Sequence, residues 1–209
     1  MAKGEKDWQE WHRHYDDPGS SLTGRLLVVR RELRRALAEA PRAEDGRLRL
    51  VAMCAGEGRD VLPVLAEGDN AHVSGVLVEV DPDLARKARG TAAELGLSGV
   101  EVRTADAGDL ATYADLEPAH ILLACGVFGN VTVADAHRTV AALPALLAEG
   151  GLVIWTRGHF SDEPVDPAED LRSRFAASGF EELSFTSPDD ARFRVGLHRL
   201  TSRRLFTFV

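Results

Sequence analysis

Residues 54–60 read CAGEGRD, two glycines two positions apart between the apolar run LRLVAM and the stretch VLPVLAEG. Gly56 lets the chain turn sharply and lets a ligand approach the backbone. Gly58 leads toward a helix, whose first N–H groups favour an anionic or electron-rich group. Glu79 lies near the end of the run VLVEV, 23 residues after Gly56, with Val80 beside it. A carboxylate at such a strand end can accept hydrogen bonds from both hydroxyls of a ribose. Asp81 points the same way by alternation, but it opens DPDL and suits a helix N-cap. In TADAGD, Asp106 can accept from an exocyclic adenine amine and the Ala107 N–H can donate to a ring nitrogen, while Asp109 serves as a local cap. In CGVFGN, the small Cys125 and Gly126 leave room for a cofactor; Phe128 and Asn130 face whatever lies beyond it, although Asn130 can instead cap the helix that follows.

Two cofactor classes use this geometry. A dinucleotide loop wants G-x-G-x-x-G/A, and counting from Gly56 the third small position holds Val61. The residue that permits close helix–strand packing is missing, which weakens a pyrophosphate reading. Candidate bases are few. His159 in TRGHF follows a strand at the edge of the same site; His12 and His14 lie in the lead-in, and His198 in VGLHRL suits a structural role. Asp162 and Glu163 read as solvated, and no acidic cluster suits a metal ion.

The elements that must position these residues follow from periodicity. Residues 21–40 read as a helix, with Leu22, Leu26, Val29, Leu33, Ala36 and Leu37 on one face. Arg30, Arg31, Arg34 and Arg35 fall mostly elsewhere, as a solvated face beside Glu32 and Glu39 or as a basic patch. Strands are expected at LRLVAMC, VSGVLVEV, VEVRTA, AHILLAC and LVIWT. Helices are expected over 58–68, with Pro63 in the first turn, over 81–97, stopped at Gly96, around 108–116, over 132–149, closed by Gly150–Gly151, and over 167–179. The C-terminus, FEELSF, FRVGLHRL and RRLFTFV, is strand-rich without intervening helices. Strands alternating with helices predict a parallel sheet covered on both faces, finished by an antiparallel hairpin.

A chain of 209 residues suffices for one domain with a sizeable core. The expected organisation is a single domain over 1–209, with a lid and helix in 1–44 and a core in 45–209. A formal charge of -8 repels phosphate backbones, so bulk nucleic acid is an unexpected partner. Two cysteines in apolar strand contexts suggest reduced, buried thiols. The lead-in MAKGEKDWQEWHRHYDD has no apolar segment of a signal peptide, and no run approaches the ~20 residues that span a bilayer. A cytoplasmic monomer or homodimer is expected.

Taken in order, VAMCAGEGRD, LVEVDPDLARKAR, RTADAGD, LLACGVFGN and LLAEGGLVIWTRG resemble the class I S-adenosylmethionine-dependent methyltransferases over roughly residues 45–185. WHRHYDDPGSSL, CGVFGNVT and GLHRL…RLFTF resemble, more narrowly, a bacterial group of unassigned substrate. The resemblance implies an α/β, Rossmann-like seven-stranded sheet of order 3-2-1-4-5-7-6 with strand 7 antiparallel, helices on both faces and an N-terminal helical lid. It implies S-adenosylmethionine as cofactor and S-adenosylhomocysteine as product. Cys54, Ala55, Gly56, Glu57 and Gly58 would hold the methionine portion, Glu79 and Val80 the ribose, Asp106 and Ala107 the adenine, with Cys125 and Gly126 near the methionine end. Where the family places an acid and then a glycine, this chain has Ala52 and Cys54. The acid's contact to the cofactor's amino group then falls to Asp60 or another residue, the N-terminal segment included. WHRHY resembles a lid, with Trp11 and Tyr15 facing inward; an aromatic face attracts a sulfonium by on the order of 0.5–2 kcal/mol. Trp8 and Trp11 can equally pack on the sheet.

The implied reaction is in-line displacement at the sulfonium methyl, in which the protein aligns the reactants and excludes water. His159 is the candidate catalytic base, and Trp11, His14, Phe128 and Asn130 are the candidate substrate contacts. The fourth strand ends without the Asn/Asp-Pro-Pro-aromatic motif of amino-methylating nucleic-acid enzymes, and no cysteine is placed for carbon-5 pyrimidine chemistry. A small-molecule acceptor, as in secondary metabolism, is the leading expectation. An RNA methyltransferase using the Arg30–Arg35 patch and a non-catalytic S-adenosylmethionine-binding protein are the alternatives, with a nicotinamide-dependent oxidoreductase more distant.

Overall fold

The structure, a computed structural model, describes residues 15, 17, 19–158 and 166–202. The expected roles of Trp8, Trp11, His12, His14, His159, Asp162 and Glu163, and a strand over 203–209, lie outside the described residues.

Helix α1 spans Ser21–Glu39; Ser20 caps it by accepting from the Thr23 N–H, and it stops at Ala40, ahead of Pro41. Then follow β1 (Leu48–Met53), α2 (Leu62–Leu65), β2 (Val73–Glu79), α3 (Pro82–Glu94), β3 (Val100–Thr104), a 3-10 turn (Leu110–Tyr113), β4 (Ala119–Ala124), α4 (Val133–Leu146), β5 (Leu147–Gly158), α5 (Pro167–Ala177), β6 (Phe180–Thr186) and β7 (Phe193–Leu200). The seven strands form one sheet in the order β3-β2-β1-β4-β5-β7-β6. β7 runs antiparallel to both β5 and β6, and the β1–β2, β1–β4, β2–β3 and β4–β5 pairs are parallel. This is the order the resemblance implied.

Alternation along the strands builds a core on each face of the sheet. Leu50, Ala52, Leu77, Ile121, Leu123 and Ile154 meet Val29, Leu33 and Ala36 of α1, Leu62 of α2 and Ala85 and Ala88 of α3. Val51, Met53, Val78, Leu122, Val153 and Trp155 meet Val140 and Leu143 of α4 and Leu171 and Phe175 of α5. Among the described residues, no helix is long and apolar enough to cross a membrane.

Two elements differ from expectation. The helix expected over 58–68 is a single turn, because Gly58 and Gly68 both take positive φ and Val61 caps nothing. Four residues carry little aligned dipole, so the expected pull of a helix N-terminus on an anion is lost. The helix expected over 132–149 ends at Leu146, two residues past Pro144. Gly150–Gly151 sits inside β5 instead, where the register to β4 shifts between Ala119 and Ile121. Gly150 has φ +72, and a Cβ on Gly151 would lie 2.8 Å from the Ala148 carbonyl oxygen, so the bulge requires both glycines.

Candidate active site

The carboxyl ends of β1, β2 and β4 open onto a cleft with a cavity volume of about 160 Å³. β4 lies on one side of β1 and β2 on the other, and the chain order reverses there, which is where open parallel sheets bind ligands. Of the residues singled out from sequence, Tyr15, Cys54, Ala55, Asp60, Glu79, Val80, Cys125, Gly126 and Asn130 line it.

The loop after β1 is shaped by three left-handed residues, Cys54 (φ 50), Gly56 (φ 56) and Gly58 (φ 74). A Cβ on Gly58 would lie 2.6 Å from Leu62 Cδ1, so that glycine serves packing under α2. Glu79 is buried, and its carboxylate bridges two segments: Oε2 accepts from the Gly56 N–H at 2.7 Å and Oε1 from the Asp81 N–H at 2.9 Å. Each oxygen keeps a further lone pair toward the cleft. Asp81 caps α3, accepting from the Asp83 and Leu84 N–H groups, and leaves the cleft to Glu79. Gly126, at φ +79, would place a Cβ within 4 Å of nothing; its N–H donates to Thr156 Oγ1 at 3.0 Å. Asn130 donates to the Gly126 carbonyl, and the N-cap of α4 is Thr132.

The polar groups sort into two ends. Toward β2 lie Cys54, Glu79, Asp106 and Tyr113, where burial, with Cys54 and Asp106 nearby, pushes the Tyr113 phenol well up. Withdrawal from water, with the Glu79 and Asp106 carboxylates, pushes the Cys54 thiol up to about 11. Toward α1, Tyr15, Arg25, Asp60 and Cys125 form the second group. Arg25 Nη2 donates to the Tyr15 hydroxyl, and the Arg25 and Arg59 guanidinium carbons each lie 5.5 Å from the Tyr15 ring centre. Burial pushes the Tyr15 phenol well up, and burial raises Asp60 against the opposing pull of Arg25 and Arg30.

Several expected residues lie elsewhere. Phe128 does not face the cleft: it is buried edge-on to Trp155 and Phe175, ring centres 6.2 Å away in each case. Its apolar ring gains more from that aromatic cluster than from a wet rim. The Glu57 carboxylate is held outside by Arg59 at 2.7 Å and Lys87 at 2.8 Å. Asp106 is exposed and accepts from the Gly108 N–H, and the Ala107 carbonyl accepts from the Tyr113 hydroxyl. Both cysteines are free thiols; Cys125 is buried, whereas Cys54 keeps accessible surface in the cleft even though the surrounding walls crowd water away from its sulfur. Arg25, Arg59, Leu84, Val127 and Val131 also line the cleft and were missed. Arg25 carried a signal: it stands four and eight residues before Val29 and Leu33, in step with the buried face of α1.

A family described as "Putative methyltransferase" matches residues 22–166. The chain belongs to this family. Its fold is similar to magnesium protoporphyrin IX methyltransferase from Synechocystis PCC 6803 with bound SAM, with TM-score 0.70 at 16% identity over 95% of this chain and 92% of that one. It is also similar to the N-methyltransferase NodS from Bradyrhizobium japonicum WM9, with TM-score 0.63 and 14% identity over 90% and 99%. An O-methyltransferase family protein from Burkholderia thailandensis gives TM-score 0.68 and 16% identity over 86% of this chain, which spans 56% of that protein's length. No curated protein matches the sequence significantly. The methyltransferase cleft fits an S-adenosylmethionine in two respects: open space in front of Gly126, and a buried Asp60 Oδ1 that accepts no hydrogen bond.

Proposed function

We propose that this methyltransferase modifies a small molecule whose acceptor atom is carried on an apolar framework. The observation that supports it is the wall beyond Gly126: Val127 and Val131 line the cleft there, and Val131 is 40% exposed. Exposed β-branched side chains at a cleft mouth favour an apolar partner over a phosphate backbone. The arginines that would serve a nucleic acid are engaged: Arg34 with Glu67 at 2.6 Å, Arg35 with Glu39 at 2.9 Å, Arg31 with Glu32 at 2.7 Å and Arg30 with the Arg59 carbonyl.

S-adenosylmethionine supplies an electrophilic methyl on a sulfonium. Glu79 would hold the ribose hydroxyls, with Val80 against the nucleoside. Asp106 and the Ala107 N–H would meet the adenine edge, next to the Tyr113 ring. The 54–58 backbone with Cys125 and Gly126 would flank the methionine chain, and Tyr15 would cover it. Tyr15 is held protonated by burial, so it donates or packs and does not act as a base. Asn130, fixed on the Gly126 carbonyl, would orient the acceptor. His159, and the lead-in residues Trp11 and His14, keep the base and substrate roles proposed from sequence.

The test is formation of S-adenosylhomocysteine with a panel of phenols, aliphatic amines, hydroxy acids and total RNA. Turnover on an apolar small molecule supports the proposal. Turnover only on RNA, or tight cofactor binding with no turnover on any acceptor, overturns it in favour of an RNA enzyme or a non-catalytic binder.

A further inference from the structure

The cofactor's amino-acid end carries an ammonium and a carboxylate. The family's acid for that ammonium is replaced by Ala52, which is buried in the apolar layer against α1 and α2 and offers no polar side-chain atom. The cleft supplies a carboxylate elsewhere. Asp60 lies six residues beyond Cys54 on the way into α2, lines the cleft, and carries its buried Oδ1 without a hydrogen-bond partner. A desolvated acceptor left unpaired is costly, the more so when charged, so a donor is missing from this place. Arg25 lines the same end of the cleft, buried on α1 and oriented by its bond to the Tyr15 hydroxyl. Asp60 and Arg25 feel each other's charge, yet Asp60 closes no ion pair among the described residues. A fixed acid and a fixed guanidinium at one end of a cleft, opposed to the ribose-facing carboxylate at the other, are complementary to a zwitterion.

We propose that Asp60 and Arg25 form the subsite for the α-amino-carboxylate of the cofactor, Asp60 accepting from the ammonium and the Arg25 guanidinium donating to the carboxylate. The contact is thereby moved from the end of β1 to α1 and the entry of α2. This rests on the S-adenosylmethionine reading of the cleft. It gives the site a specificity: ligands bearing the amino-acid end are selected over the bare nucleoside thioether. Charge-assisted bonds in a partly desolvated site carry that selection.

The experiment is calorimetry with S-adenosylhomocysteine and with 5′-methylthioadenosine, which keeps the nucleoside thioether and lacks the α-amino-carboxylate. Asp60→Asn and Arg25→Lys are each compared with wild type, with a thermal melt to establish folding. Both variants are expected to weaken S-adenosylhomocysteine at least tenfold while 5′-methylthioadenosine stays within twofold. Arg25→Lys decides alone if Asp60→Asn does not fold. The proposal is overturned if S-adenosylhomocysteine binds within twofold of wild type, or if both ligands weaken alike, as a purely structural ion network would require. A folded wild type that binds neither ligand overturns the cofactor reading itself, an outcome visible before any variant is made.

Discussion

Glu79→Gln separates two jobs that the structure gives to one side chain. The carboxylate that faces the ribose position also accepts from the Gly56 and Asp81 backbones at 2.7 and 2.9 Å. Glutamine keeps one acceptor oxygen and turns an NH₂ group toward the other N–H, so one bond is lost and two donors confront each other. Hydrogen bonds to charged groups contribute ~1.5–3 kcal/mol each, and an unpaired buried N–H adds to the loss. The ligand-free variant should therefore lose about 2–3 kcal/mol, which for a chain of this size lowers Tm by about 4–12 °C. Differential scanning calorimetry of apo protein measures this, and titration with S-adenosylhomocysteine measures the second job, with at least a tenfold loss expected. A variant that melts within about a degree of wild type while losing the ligand would refute the bridging argument. The carboxylate would then serve the ligand alone.

Gly58→Ala should destabilise by about 2 kcal/mol, because φ +74 strains alanine and its Cβ meets Leu62 Cδ1 at 2.6 Å; a urea midpoint equal to wild type would contradict this. Burial, with Arg172 adding to it and Glu182 opposing, holds the His198 imidazole down at about 4, while its Nδ1 accepts from Trp155 Nε1 at 3.0 Å. The unfolded chain takes that proton near ~6.5, so stability is full above that pH and falls between ~6.5 and 4, by at most ~1.4 kcal/mol per unit. His198→Gln should flatten denaturation midpoints across that window. Iodoacetamide should modify Cys54 before Cys125, slowly at pH 7 and faster toward pH 11, with protection by S-adenosylhomocysteine; preferential labelling of Cys125 would show the cleft misassigned.

Most of the sheet was legible because strands buried on both faces leave near-continuous apolar runs, and the β1, β2 and β4 ends carry the site. The errors lie where tertiary contacts outvote local pattern. Nothing in LPVLAEG announces a one-turn helix, and Gly150–Gly151 resembles a helix stop until Leu147 is seen paired to Ala119. Glu79 was readable from its place at a strand end; its grip on Gly56 was not, since sequence does not reveal a backbone partner 23 residues away. Phe128 was misjudged because an aromatic after a strand end can turn to either side, and Trp155 and Phe175 decide which. Arg25 was missed because a charged residue on a helix reads as solvent-facing, and its burial is accounted for by its bond to the Tyr15 hydroxyl.

Three of the arginines on the outer face of α1 also fix its position. Through Arg30 on the Arg59 carbonyl, Arg34 on Glu67 and Arg31 on Thr186, α1 is fastened to the loop after β1, to the end of α2 and to β6, so it travels with the sheet. The Thr23 hydroxyl of α1 lies 2.7 Å from the Asp17 carbonyl oxygen and 3.1 Å from that of Tyr15. Tyr15, which lines the cleft, is thereby tied to the first turn of α1 through one hydroxyl. A Thr23→Val chain would release its ligand faster while the cleft floor stays as it was.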